Sequence, residues 1–298
     1  DYGKLFCKIP APAVAPFDAK QAKGHQLAWS RHLGTDVELT DSNGIKFVLI
    51  PPGEFLMGSP EAERQAALKE AANDKYAIER IPTEGPQHRV KITRPFYLGK
   101  YEVTQAQWEA AMGSNPSKSQ GPANPVEQVS WEDIQPFLAK LNAASTVRVP
   151  AAKTPGVATE MKYALPTEAQ WEYACRAGTT TAHSFGDSAA MLAKSGWYQS
   201  NSGSKTHPVG QRESNAWGLH DMHGNACEWC ADWWRADYYT QSPLPDPVGP
   251  VSGSSRVLRG GGWTHHAWGC RSAWRFSSGP SFRYRNIGFR LALVPVDE

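Results

Sequence analysis

The sequence predicts an α+β domain with few helices and much irregular backbone, and three observations carry that prediction. Twelve Trp, 26 Gly and 23 Pro among 298 residues favour a turn-rich fold whose interior is filled by large rings rather than by long helices. Helix starts are readable where a Ser or Thr is followed three residues later by a side chain able to reach back to the exposed N–H groups: Thr104 with Gln107, Ser130 with Asp133, and Thr167 with Gln170. Beyond Gly178 the helical period vanishes, and short β-like runs alternate with Gly, Pro, Asn and Ser.

Taken in order, residues 1–42 have no strong period apart from a stretch around Asp18 to His32 that suits one amphipathic helix, and they read as an arm or linker. Residues 43–298 then form one domain. Lys46 to Ile50 and the run from Gly53 read as a hairpin, with Pro51, Pro52 and Gly53 at the turn. Glu61 to Ile81 is charged, Ala-rich and poorly amphipathic, which predicts a surface excursion, and His88 to Tyr97 is strand-like. Pro136 shortens or kinks the helix opened at Ser130, whereas the helix opened at Thr167 runs through Cys175 and stops at Gly178, a natural left-handed residue.

Bulk properties exclude several classes. With 31 Lys+Arg against 29 Asp+Glu, a formal +2, no long-range field argues for nucleic acid or a membrane surface. The longest apolar runs, such as Phe47 to Pro52, fall far short of the roughly 20 residues of a membrane span. Because the chain begins at Asp1, the lack of a leader carries no information on compartment.

Ordered motifs run along the domain. Pro51-Pro52-Gly53-Glu54-Phe55, Tyr101-Glu102-Val103-Thr104, Pro125-Val126-Glu127-Gln128-Val129-Ser130-Trp131 and Leu165-Pro166-Thr167-Glu168-Ala169-Gln170-Trp171-Glu172-Tyr173 come first. Gly218 to Asn225 with Glu228-Trp229, Arg259-Gly260-Gly261 and Gly288-Phe289-Arg290 follow. Together they resemble the formylglycine-generating enzyme (sulfatase-modifying factor) family over about residues 43–294. That resemblance implies a variant of the C-type-lectin fold.

In the oxidases of that family, two cysteines five residues apart after Arg-Gly-Gly-Ser bind copper and convert a substrate cysteine to formylglycine with oxygen, chemistry that suits soft thiolates. Here the corresponding run is Arg259-Gly260-Gly261-Gly262-Trp263-Thr264-His265-His266-Ala267-Trp268-Gly269-Cys270. The pair falls on His265 and Cys270, or leaves Ala267 at the second position when aligned from Arg275, and Gly262 replaces the serine. At least one thiolate is missing, so the resemblance implies a member that has lost the usual copper pair. His265 and Cys270 are the catalytic candidates should a copper oxidase of altered ligation persist. A His265, His266 and Cys270 site for copper or zinc is a further alternative. Against it, in members lacking the oxidase pair a cysteine in a Cys-Arg-Ser-Ala stretch, here Cys270, commonly accompanies the cysteine of Tyr-Ala-Cys-Arg, here Cys175, and the resemblance thereby implies a structural disulfide between them. A disulfide so placed leans toward a periplasmic or secreted location. A non-haem iron enzyme of the sulfoxide-synthase kind ranks last, because those enzymes take their iron histidines largely from an extra helical domain.

The resemblance also implies a structural calcium held by Asp221, Gly224, Ala226 and Glu228, hard oxygen donors around a tight loop; the alternative is that the two carboxylates cap local turns. Cys227 and Cys230 suggest redox exchange or half a zinc site, but fit buried structural thiols better. His220 and His223 read as satisfied or surface histidines rather than a metal pair. Finally, Pro247 to Pro295 holds seven Arg and no Asp or Glu. The segments between its framework residues place Trp263, Thr264, His265, His266, Trp268, Trp274, Phe276, Phe282 and Tyr284 where lectin-like relatives present ligand-facing side chains. The alternative is that these rings fill the interior. The expectation is a binding module for a peptide, a protein or a small anionic or aromatic ligand, in an aromatic and cationic concavity.

Overall fold

The computed structural model of the chain describes residues 9–144, 147–150 and 158–296; Cys7 lies outside the described residues. Its centre is a six-stranded sheet in the order Glu38–Thr40, Lys46–Ile50, Phe96–Gly99, Ala292–Pro295, Ala158–Ala164, Val147–Pro150. Side chains alternate between faces along a strand, and both faces of this sheet are covered. Val48 and Ile50 enter one buried cluster with Phe96, Leu98 and Trp171. Phe47 and Leu49 enter another with Tyr97, Phe137, Trp229 and Phe289. Burial on both sides explains why Phe47-Val48-Leu49-Ile50 reads as an unbroken apolar run rather than an alternating one.

A four-stranded sheet carries the later motifs, in the order Arg275–Ser278, Arg256–Arg259, Cys227–Trp233, Ile287–Gly288. A three-stranded sheet joins Ala13–Val14, Gly53–Met57 and His88–Ile92. Lys46–Ile50 and Gly53–Met57 therefore belong to different sheets, and the expected hairpin does not form. Lys46–Ile50 pairs with Phe96–Gly99, while Gly53–Met57 pairs with His88–Ile92. Pro51 and Pro52 have no N–H to give a ladder, so the chain changes sheet there.

The three capped helices are Gln105–Met112, Trp131–Ala144 and Glu168–Arg176. Thr104 with Gln107 and Thr167 with Gln170 make reciprocal capping boxes, and Ser130 and Asp133 exchange the same two bonds. Pro136 sits inside its helix without ending it. Residues read as an arm are packed into the body: the helix Ala19–Leu33, capped by Asp18 and Gln21, buries Ala22, Gln26 and Trp29. The Gln26 amide donates to the carbonyls of Leu49 and Trp217. The excursion after Glu61 is also anchored. Its helices Glu61–Ala71 and Lys75–Arg80 bury Ala67, Ala71 and Ala77 against Trp268 and Trp274.

Buried ion pairs tie the C-terminal segment to the rest. Glu172 accepts from Arg176 at 2.8 Å and from Arg259, and Glu168 takes a two-pronged bond from Arg275. Glu84 does the same for Arg271, and Glu228 for Arg290. Such pairs leave no charge uncompensated as long as both members are present.

Candidate ligand cavity

A cavity of about 520 Å³ opens where four elements meet. The helix Lys75–Arg80 contributes Tyr76, with its capping residue Asp74 at the rim. The strands contribute Cys227, Leu258 and Phe276, and the segments 264–274 and 279–287 contribute Thr264, His265, His266, Trp268, Trp274, Phe282, Tyr284, Asn286 and Ile287. Its rings contact one another in pairs. Trp268 meets Trp274 edge-on with centroids 5.1 Å apart, Tyr76 meets Phe276 at 6.5 Å, and Phe282 stacks on Tyr284 at 6.1 Å. Trp274 is buried, whereas Phe282 and Tyr284 are 45% and 44% exposed. The wall thus grades from a fixed floor to an accessible lip.

Eight of the nine residues that the sequence marked as ligand-facing line this cavity; Trp263 does not. Its ring is buried and its indole N–H donates to the Arg285 carbonyl at 3.0 Å. The cationic character expected of the concavity is absent, because no Arg is among its lining residues. Arg259, Arg271, Arg275 and Arg290 are held by the buried carboxylates described above. Arg256 is sandwiched between Trp131 and Trp233, Arg283 pairs with Asp133, and Arg285 lies over Trp263. Asp74 is the one carboxylate among its lining residues.

The cavity's polar floor is a chain of four side chains. The Asn286 amide donates to Thr264 Oγ1 at 2.5 Å. Thr264 Oγ1 is 3.3 Å from His265 Nδ1, and His265 Nδ1 is 3.9 Å from Cys227 Sγ. Burial pushes His265 down to about 4 and the Cys227 thiol well above its ordinary range, so both rest uncharged near neutrality.

The sulfur facing His265 is therefore Cys227, not Cys270 as the sequence suggested. Cys270 is wholly buried, lies outside the cavity lining and packs on Gly261, where an added Cβ would come within 2.8 Å of its sulfur. The sequence signal was available in Cys227 itself, but reading it with Cys230 as one motif hid it. On the strand Cys227–Trp233, residues three apart point to opposite faces. Cys230 accordingly joins the first core cluster while Cys227 joins the second. Nor are Cys175 and Cys270 joined: both are free thiols, and His223 occupies the space beside them. Cys175 Sγ lies 3.8 Å from His223 Nε2, and His223 Nδ1 bonds the Cys270 carbonyl at 2.9 Å. His220 is half-buried, with Nδ1 on the Arg212 carbonyl.

The two carboxylates expected to hold calcium, Asp221 and Glu228, sit together beside a third, Glu102. Three buried carboxylates, Glu102, Asp221 and Glu228, face the guanidinium of Arg290, and Arg212 also acts on Asp221. Glu228 also accepts from the Trp171 indole. Glu102 is occupied by Asn225 and the Ala226 N–H, and Asp221 Oδ2 by the Gly210 N–H at 2.7 Å. Asp221 Oδ1 is buried without a partner. Burial beside these negative neighbours raises Asp221 to about 6. An orphaned carboxylate oxygen and an excess of negative charge fit a hard cation.

The family model described as the sulfatase-modifying factor enzyme 1-like domain matches residues 36–294. The formylglycine-generating enzyme of Streptomyces coelicolor is 33% identical over 208 residues, which cover 64% of this chain and 59% of that protein. The chaperone protein LppX of Paenibacillus barcinonensis is 30% identical over 207 residues, covering 56% and 69%. Among solved structures, Treponema denticola variable protein 1 aligns with a TM-score of 0.68 at 31% identity, covering 88% of this chain and all of that one. PvdO from Pseudomonas aeruginosa gives the same TM-score at 28% identity, with 88% and 98% covered. The chain thus spans about three-fifths of the formylglycine-generating enzyme from S. coelicolor and nearly the whole of these two solved structures.

Proposed function

This chain belongs to the sulfatase-modifying factor enzyme 1-like family, and on that premise we propose that it is a ligand-binding member, whose partner is a peptide or small molecule that seats an aromatic group in the cavity of Trp268, Trp274, Phe276, Phe282 and Tyr284. The observation that carries this reading is the convergence of those rings around about 520 Å³ with no Arg in the lining. A relative described as a chaperone protein agrees with a protein segment as the partner. The copper chemistry of the family's oxidases would need the His265 and Cys270 pair, and Cys270 lies outside the cavity lining.

A peptide library panned against the whole chain, followed by calorimetry on the selected sequences, tests the proposal. Trp268→Ala and Phe276→Ala should each weaken binding about tenfold, the 1.4 kcal/mol expected when an aromatic contact is lost. Enrichment that does not distinguish wild type from these variants would refute the binding reading. So would copper- and oxygen-dependent conversion of a peptide cysteine to an aldehyde.

We further propose that Ca²⁺ is held by Asp221, the carbonyls of Gly224 and Ala226, and Glu228. The ion would supply positive charge to a buried cluster in which carboxylates outnumber guanidinium groups. After chelation, adding Ca²⁺ at one hundred times its dissociation constant should stabilise the fold by about 2.7 kcal/mol. Asp221→Asn should abolish that gain, and a thermal midpoint indifferent to calcium would dismiss the site.

A further inference from the structure

Two further concavities adjoin the ligand cavity. One, of about 340 Å³, shares Asp74, His266 and Trp268 with it. The other, of about 430 Å³, continues from that one, and Glu70, Ala189, Ala267 and Trp268 belong to both. Trp268 thus borders all three, with His266 stacked on its ring at 6.0 Å and Trp274 edge-on at 5.1 Å. A single aromatic group fills only the first; a row of three suits a chain several residues long. The row is also acidic. Glu70 and Asp74 border its middle, and Glu63 and Asp187 its far end. Among the described residues that line it, the only Lys or Arg is Arg271, whose guanidinium is already bound by Glu63 and Glu84. Glu70 is exposed, and neither it nor Asp74 is in an ion pair among the described residues. A second, independent observation comes from the aromatic end. Trp274 lines the cavity at 1% exposure, and its indole N–H has no acceptor among the described residues. A buried donor without a partner is costly, and a ligand oxygen placed against it would recover that cost.

We propose that the row takes a basic peptide segment. An aromatic side chain of the peptide seats in the cavity, an oxygen of the same segment accepts from the Trp274 indole, and a neighbouring Lys or Arg lies over Glu70 and Asp74. The proposal rests on the aromatic cavity as the ligand site and adds the partner's charge and length. An extended peptide advances about 3.3 Å per residue, so the cation comes from a residue close to the aromatic one in sequence. Glu70 faces solvent, so its attraction for that cation is modest and salt-sensitive. The charge therefore selects among aromatic peptides, while the rings supply most of the affinity.

The test uses the whole chain and the peptides enriched by panning. Lys or Arg should stand within about three residues of the aromatic residue, and more often than Asp or Glu. In one enriched peptide, replacing that basic residue by Gln should weaken binding about fivefold at low salt. The difference should vanish in about 1 M salt, where exposed charges are screened beyond about 3 Å. Glu70→Gln combined with Asp74→Asn, the latter keeping an acceptor for the Ala77 N–H, should weaken the basic peptide by the same factor and leave the Gln peptide unaffected. That is the coupling expected of groups in contact. The indole N–H resonance of Trp274, assigned by triple-resonance spectra, should move downfield when the peptide is added. Enrichment of acidic neighbours, or losses from the peptide and protein changes that simply add, would overturn the proposal; the aromatic cavity would stand as long as Trp268→Ala still weakened binding. Charge coupling with no effect of Trp268→Ala and an unmoved Trp274 resonance would seat the peptide outside the cavity and overturn both readings.

Discussion

Acidification should destabilise this protein through His223, and the expected size follows from four contacts. His223 is 2% exposed, and its Nδ1–H donates to the Cys270 carbonyl at 2.9 Å. Its Nε2 accepts from the Ser184 N–H at 3.2 Å and from the Ser184 hydroxyl at 2.9 Å, with Cys175 Sγ at 3.8 Å. A proton on Nε2 would face the Ser184 N–H donor to donor. Burial thus pushes His223 down to about 4, against an ordinary value of about 6.5. Between those two values the unfolded chain binds a proton that the folded chain excludes, so stability falls as pH falls. The slope is about 1.4 kcal/mol per pH unit. Gln is the informative replacement, because its amide N–H can donate to the Cys270 carbonyl while its oxygen accepts from Ser184. Urea unfolding followed by Trp fluorescence at pH 6.5 and 4.5 gives the change in stability for wild type and for His223→Gln. Wild type should lose about 2 to 3 kcal/mol more than the variant, and comparing the two cancels the histidines and carboxylates they share. Equal losses would show that His223 titrates freely in the folded protein and that its burial and bond pattern have been misread.

Two other perturbations follow from the buried carboxylates. Glu172→Gln removes the charge that holds Arg176 and Arg259, and leaving Arg176 without its carboxylate and Arg259 with only Glu168 at 3.7 Å should cost about 3 kcal/mol; a urea midpoint close to wild type would contradict the pairing. Asp232 accepts from the Glu168 N–H at 2.7 Å and is raised to about 8, chiefly by burial and then by Glu168. From about pH 4 to 8 the folded chain keeps a proton that the unfolded chain has released, so this residue makes stability fall as pH rises. Asp232→Asn retains the acceptor and should remove about 1.4 kcal/mol per pH unit from that decline; parallel stability curves for variant and wild type between pH 5.5 and 7.5 would rule the effect out.

The parts of the fold legible in the sequence are those governed by local chemistry. Thr104 and Thr167 announce their helices because each cap and its partner lie within one turn. The parts that were not legible depend on which distant surface is waiting. Glu61 to Ile81 presents mostly Ala as its apolar face, which carries little periodic signal, and it is anchored because Trp268 and Trp274 cover that face. Lys46–Ile50 and Gly53–Met57 look like two arms of one hairpin until their partners, Phe96–Gly99 and His88–Ile92, claim them for separate sheets. The candidate site divides in the same way. The rings of the cavity were marked by their place between the framework residues that carry the family resemblance, but the approach of Cys227 to His265 joins residues 38 apart, across a sheet whose register no local pattern reveals.

Three of the seven arginines of the C-terminal segment explain how partly exposed rings can sit on a rigid body. Arg259 and Arg275 flank the stretch that bears Thr264, His265, His266 and Trp268, and Arg275 and Arg290 flank the one that bears Phe276, Phe282 and Tyr284. Each of these three guanidinium groups is buried and bound to a carboxylate from another part of the chain: Glu172 for Arg259, Glu168 for Arg275 and Glu228 for Arg290. Removing one partner of such a pair is costly, so the ends of both stretches are fixed. Between those ends, Phe282 and Tyr284 keep nearly half their surface in solvent, and little of the core depends on their identity. The arginine and aromatic enrichment that looked like one recognition surface is therefore two systems with different duties. Charge holds the ends of the loops inside the protein, and the rings between them face the cavity, where their shape can change without disturbing the ion pairs beneath.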